Sequence, residues 1–186
     1  MARVRDINIE EVSEEIKPIY KDFLTNYGPF ANQAKVFAHR PIIFKHIMSM
    51  LLEIAKNPII EKRYLEIAIV AVSAINKCDY CVAHHAPNLI SIGLSRETVE
   101  NILDKDCYDL NELDLLVRDY AVQITIDHNK VSDSQFQKLR NYFSEEQMVE
   151  LTFRITLCTF FNKFNDVMQL EMENDPALMS LVKTKT

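Results

Sequence analysis

Cys78 and Cys81 stand three residues apart, His85 follows four residues later, and a single acid, Glu66, precedes them in an otherwise uncharged stretch from Tyr64 to Ile75. At about 100° per residue, an α-helix places Cys81 roughly 60° and His85 about 20° around the axis from Cys78. Residues three, four and seven apart share a face. His84 is turned about 100° from His85, so the spacing selects His85 as the partner of the thiols. A thiolate is a strong nucleophile, and an imidazole one turn away can take its proton and then favour the anion. Two thiols separated by one turn can also close into a disulfide without large backbone movement. The chemistry indicated is dithiol redox chemistry.

Position along the chain adds to that reading. Asn76-Lys77 reads as a break between two helices, which puts both cysteines in the first turn of the second one. Unpaired N–H groups and the positive end of the helix dipole stabilise a thiolate there. If the two helices pack antiparallel, Glu66 can reach His85 and orient its ring, the logic of a base held by an acid. Ser73 shares a helical face with Glu66 and is either a buried hydroxyl bonded to its own helix or a support for the site. Cys107, Cys158, His39, His46 and His128 read as buried small residues and as capping or surface histidines. Two non-enzymatic readings use the same residues. Cys78, Cys81, His85 and Glu66 can supply four zinc ligands, although structural zinc sites normally draw ligands from separate segments. Alternatively, the thiol pair is inert within a helical interaction module.

The elements that must position these groups are helical throughout. Only two glycines occur, Gly28 and Gly93, and alternating apolar patterns are scarce, which excludes a hairpin-rich protein. Helical spacing predicts segments near 9–26, 30–39, 41–56, 59–76, 78–92, 95–104, 111–128, 132–142 and 144–173. Ser132 with Gln135 and Ser144 with Gln147 have capping-box spacing. Asn57-Pro58 and Asn111 read as helix entries. Ile92-Gly93-Leu94-Ser95 reads as a glycine stop followed by a new serine cap. The fold class is all-α, a compact helical bundle forming one domain over 1–186 with its core at about 30–172. The terminal LVKTKT is expected to fray. The run Ile67–Val72 is apolar on every side and should be buried all round. The last helix, with Phe153, Phe160, Phe161 and Phe164, is nearly as apolar, so a homo-oligomer interface is expected to cover part of it.

Composition bounds the partners. The chain is 48% hydrophobic and 26% charged with a formal net charge of -6, which suits a soluble globular protein. No Lys/Arg cluster would attract a phosphate backbone, so no nucleic-acid partner is expected. No apolar run has the length of a membrane span, and the N-terminus lacks the pattern of a signal peptide. The expected compartment is the cytoplasm, where thiols stay reduced. No cofactor is indicated.

Glu66, eleven intervening residues, Cys78-x-x-Cys81, three more residues and His85 together resemble the signature of the alkylhydroperoxidase D-like branch of the carboxymuconolactone decarboxylase family. Ala38-His39-Arg40-Pro41, the Ile92–Ser95 exit and the final helix containing Asn162 are similar to peroxidase-related members. The likeness covers roughly residues 30–172. The resemblance implies trimers or hexamers and reduction of hydrogen peroxide or organic hydroperoxides through a Cys78–Cys81 disulfide, with antioxidant defence as its purpose. On that basis Cys81 attacks the peroxide, Cys78 resolves, and His85 with Glu66 relays protons. A thiol or dithiol electron donor of unspecified identity then regenerates the pair. A related reading makes the chain a protein or lipoyl disulfide reductase. Some peroxidase members carry a histidine where this chain has Tyr80, and a phenol cannot serve as a base at neutral pH. Pro87 falls two residues beyond His85, where a kink or an early helix end is expected.

Overall fold

The computed structural model describes residues 2–174. Every regular element among them is helical: α1 Lys17–Asn26, α2 Ala31–Phe37, α3 Pro41–Lys56, α4 Lys62–Ile75, α5 Asp79–Ser91, α6 Arg96–Glu100, α7 Glu112–Asp127, a 3-10 turn His128–Lys130, α8 Asp133–Arg140 and α9 Glu145–Met168. The all-α expectation holds. LVKTKT lies outside the described residues.

Several boundaries differ from the periodic reading, among them the end of α6, at Glu100 rather than 104. α1 starts at Lys17 rather than 9 and carries proline in its first turn, where the missing N–H would have had no helical partner anyway. Asn57 ends α3 instead of opening α4: its backbone N–H and its Nδ2 both bond the Glu53 carbonyl, which satisfies an orphan acceptor at the C-terminus. α9 stops at Met168 because Gln169 adopts φ +53°, a left-handed conformation that cannot continue a right-handed helix. The serine caps and the Asn111 cap form as expected, although Ser132 makes only its own half of the expected box, accepting from the Gln135 N–H. Ser144 and Gln147 exchange both bonds of a capping box, Ser95 accepts from the Thr98 N–H, and Asn111 pairs reciprocally with Asp114.

The described residues divide into two compact units, 2–58 with 165–174, and 59–164. In the first, α1 packs on α2 and α3. Tyr20 stacks on Phe44 with ring centroids 5.2 Å apart, and its buried hydroxyl donates to the Ile7 carbonyl, so the ring is sequestered without stranding its polar tip.

The second unit is built around α4, which packs on α5 and on α7. Every α4 residue from Glu66 to Ser73 is buried, in keeping with its uniform apolarity. Ala68, Ile69 and Val72 join a core with Val117, Leu151 and Ile155. Ile67 and Val70 face a second core with Ala86, Leu89 and Val99. The β-branched residues of α4 are mediocre helix formers, and burial at about 1.5–3 kcal/mol per large side chain outweighs that preference. A charged clamp fixes α4 against α7: Arg63 bonds both carboxylate oxygens of Asp114, Nη2–Oδ2 at 2.6 Å and Nε–Oδ1 at 2.9 Å. Asp114 has no exposed surface. No helix among the described residues is long and apolar enough to cross a membrane.

Candidate active site

The turn between α4 and α5 sets the position of the thiols. The Cys78 N–H bonds the Ser73 carbonyl and the Lys77 N–H bonds the Ala74 carbonyl, the paired bonds of a Schellman stop. The left-handed position of that motif falls on Lys77, φ +57°, where glycine is the usual occupant. Because the stop closes within two residues, α5 doubles back on α4, with Cys78 as its N-cap. Cys81 is therefore the third helical residue, within reach of the N-terminal dipole field.

The two sulfurs are 2.7 Å apart, beyond the disulfide length of about 2.05 Å, and no disulfide joins the described residues. Cys78 is fully buried and Cys81 retains 6% exposure. One turn further along α5, His85 lies on the Cys81 side of the helix and points its Nδ1 at Glu66 Oε2, 2.8 Å away. Antiparallel packing of α4 and α5 thus brings Glu66, only 7% exposed, to the imidazole. A carboxylate only accepts, so Nδ1 carries the proton in that bond and Nε2 is the basic atom of the neutral ring.

Asn88 is a site residue that the sequence reading missed. Its Nδ2 donates to the other carboxylate oxygen, Glu66 Oε1, at 3.0 Å. Its signal was the three-residue spacing from His85, which places both on one face of α5. His84 does turn elsewhere: it is 4% exposed, its Nδ1 donates to the Tyr80 carbonyl at 2.6 Å, and its ring lies 4.2 Å from that of Tyr80. Pro87 neither ends nor shortens the helix, which runs on to Ser91, although it deprives the Ala83 carbonyl of its i+4 donor. α5 closes in a second Schellman stop, with Gly93 at φ +99° and Leu94 N–H on the Leu89 carbonyl.

Behind the turn lies a buried polar cluster. Ser73 bonds across to α9 rather than to its own helix: its Oγ accepts from Asn162 Nδ2 at 3.1 Å and lies 3.4 Å from the Cys158 sulfur. Asn162 Oδ1 in turn accepts from Asn76 Nδ2, so one carboxamide ties both ends of the last turn of α4. Burial pushes the Cys158 thiol up to about 12, with the neighbouring Cys78 adding to the shift. At a pH of about 8, Cys158 therefore stays protonated and unreactive. Iodoacetamide should leave it unmodified in the folded protein and label it after denaturation; mass spectrometry of peptides containing Cys158 checks this, and rapid native labelling would contradict it. Cys107, also buried, bonds the Asn101 and Asp104 carbonyls. His39, in the first unit, lies 2.7 Å from the Arg5 carbonyl. Among the described residues, no group of three or more His, Cys, Asp or Glu side chains is arranged to hold a metal ion.

The arrangement of helices is that of an alkylhydroperoxidase core. The crystal structure of the alkylhydroperoxidase AhpD core of an uncharacterized peroxidase-related protein from Ralstonia eutropha JMP134 matches with a TM-score of 0.78 at 21% identity, over 99% of this chain and 98% of that one. The debrominase Bmp8 matches with a TM-score of 0.71 at 19% identity, over 97% and 96% of the two chains. At these identities the likeness establishes the fold.

In sequence, residues 41–109 match the model of the Carboxymuconolactone decarboxylase family. Alkyl hydroperoxide reductase AhpD of Coxiella burnetii (strain Dugway 5J108-111) is 36% identical over 55 residues, 30% of this chain and 31% of that protein. The protein of the same name from Mycolicibacterium paratuberculosis (strain ATCC BAA-968 / K-10) is 46% identical over 52 residues, 28% and 29% of the two. The chain thus spans less than a third of the length of these curated relatives. The family resemblance carried by the motif is borne out.

Proposed function

We propose that this chain is a thiol-dependent peroxidase that reduces hydrogen peroxide or small organic hydroperoxides through a Cys78–Cys81 disulfide. The observation that carries the reading is the pair of sulfurs 2.7 Å apart at a helix start, one turn from an imidazole held by a buried carboxylate. The curated relatives named for alkyl hydroperoxide reduction support it.

In the proposed cycle, His85 Nε2 takes the Cys81 proton and the thiolate attacks the terminal peroxide oxygen. The O–O bond breaks, and the leaving alkoxide or hydroxide departs as alcohol or water with a proton returned by His85. Cys81 is left as a sulfenic acid. Cys78 then attacks that sulfur, water leaves and the disulfide forms. Two electrons from an external thiol or dithiol restore the pair. The 6% exposure of Cys81 against none for Cys78 favours Cys81 as the sulfur a peroxide meets. We place the reaction in the cytoplasm, where such donors are abundant. The exposed apolar side chains Val149, Phe153 and Phe160 on α9 support assembly of several copies.

The direct test is to titrate reduced protein with cumene hydroperoxide and, separately, with oxidised lipoamide. One equivalent of hydroperoxide should remove two titratable thiols and two hydrogens from the intact mass, and do so faster than the disulfide substrate. Survival of both thiols in excess hydroperoxide would sink the peroxidase reading.

A further inference from the structure

We infer that Asn88 is a positioning residue that holds the Glu66 carboxylate in one rotation and thereby fixes which nitrogen of His85 is basic. The inference rests on the proposed role of His85 as the thiol's proton acceptor, and it goes beyond the Glu–Cys–Cys–His pattern because Asn88 is no part of it.

Glu66 has an oxygen for each of two donors on α5. His85 Nδ1 takes Oε2 at 2.8 Å and Asn88 Nδ2 takes Oε1 at 3.0 Å. A glutamate's terminal torsion is broad and roughly two-fold, so one donor alone leaves the carboxylate plane free to swing. A second donor on the other oxygen removes that freedom. The consequence for chemistry lies in the proton inventory. With both oxygens accepting, Glu66 has no proton to offer, so the His85–Glu66 bond must use the Nδ1 proton. The neutral ring then exists as the Nδ1–H tautomer, and Nε2 holds the lone pair. Were Oε1 to lose its donor, the carboxyl group could rotate or carry a proton of its own, and a protonated carboxyl can donate to Nδ1. That reversal would put the ring proton on Nε2 and leave nothing there to accept the thiol's proton.

The local structure explains why an asparagine can do this. Asn88 sits one turn past His85, with its backbone carbonyl already satisfied by the Ile92 N–H and the Ser91 hydroxyl. Its side chain is therefore available for the cross-helix bond to α4. Asparagine is a poor helix former, so helix propensity does not account for its presence. The orientation of the amide follows from its partner, since only the NH2 end can face a carboxylate.

Three variants test the inference. Asn88→Ala removes the donor. Asn88→Asp keeps the shape but opposes an acceptor to an acceptor. Asn88→Gln restores an NH2 on a longer arm. The readouts are the imidazole 15N–1H correlation of His85, the second-order rate of Cys81 alkylation by iodoacetamide, and the rate with cumene hydroperoxide. Wild type and Asn88→Gln should show the Nδ1–H tautomer. Asn88→Ala and Asn88→Asp should show mixed or Nε2–H rings and react about tenfold to a hundredfold more slowly, the scale of one lost hydrogen bond to a charged group. An unchanged Nδ1–H tautomer in Asn88→Asp overturns the inference. So does a loss of rate that merely follows a lowered melting temperature with the tautomer intact, because Asn88 would then be only structural. If wild type keeps the Nδ1–H ring but leaves hydroperoxide untouched, the peroxidase reading falls, while the alkylation and 15N data still decide the role of Asn88.

Discussion

Serine at position 81 is expected to leave less than about a thousandth of the wild-type hydroperoxide turnover. The thiolate is the reacting species, and a serine hydroxyl in the same place stays protonated at neutral pH, so the His85–Glu66 pair has no ionised nucleophile to sustain. Serine at position 78 should behave differently. The first oxidation of Cys81 remains possible, so one equivalent of hydroperoxide is consumed at near wild-type rate and a sulfenic acid accumulates, which dimedone traps. Turnover then stops for want of a resolving thiol. Stopped-flow consumption of hydroperoxide with mass spectrometry of the trapped adduct separates the two variants. If Cys81→Ser instead consumes one equivalent of hydroperoxide and the adduct forms on Cys78, the attacking and resolving roles are exchanged. The two roles rest on a small difference in access, since one sulfur is fully covered and the other nearly so.

The largest expected effect on stability lies away from the thiols. Asp114 is fully buried and its carboxylate is bonded by Arg63 and by the Asn111 N–H at the start of α7. That carboxylate also holds the Arg63 guanidinium above its usual range, chiefly through the hydrogen bond. Arg63→Met should destabilise the fold by about 3 kcal/mol, the lower end for stranding a buried charge, because the arginine side chain keeps 27% exposure. For a chain of this size that is a fall in melting temperature of roughly 10 °C. Adding Asp114→Asn should recover much of the loss, since a neutral amide removes the unpaired charge and its oxygen can still accept the Asn111 N–H. Thermal and denaturant unfolding of the two variants measures both steps. A loss below about 0.5 kcal/mol for Arg63→Met would mean that water, not the guanidinium, satisfies Asp114.

What the amino-acid sequence determined about this protein is whatever depends on neighbours along the chain. The thiols and His85 share a face of α5 because a helix repeats every 3.6 residues whatever surrounds it. The all-round burial of α4 was legible because a helix without a polar face has nowhere else to go. The serine caps of α6, α8 and α9 were legible for the same reason: donor and acceptor are three residues apart. Even Glu66 could be offered to His85, since two helices joined by so short a turn must lie side by side.

Tertiary structure decided the rest. The break at Asn76-Lys77 was legible, but no glycine announces the left-handed backbone at residue 77, which it takes because the packing of α5 on α4 requires the reversal there. The first helix begins late, and Asn57 closes a helix instead of opening one, because each end goes where its orphan N–H and C=O groups find partners. Asn88 on Glu66, Asn162 on Ser73 and Arg63 on Asp114 join residues 22, 89 and 51 positions apart. Periodicity reports which way a side chain leaves its own helix, but the atom it meets is set by the crossing of two helices, and that depends on the packing of the whole unit.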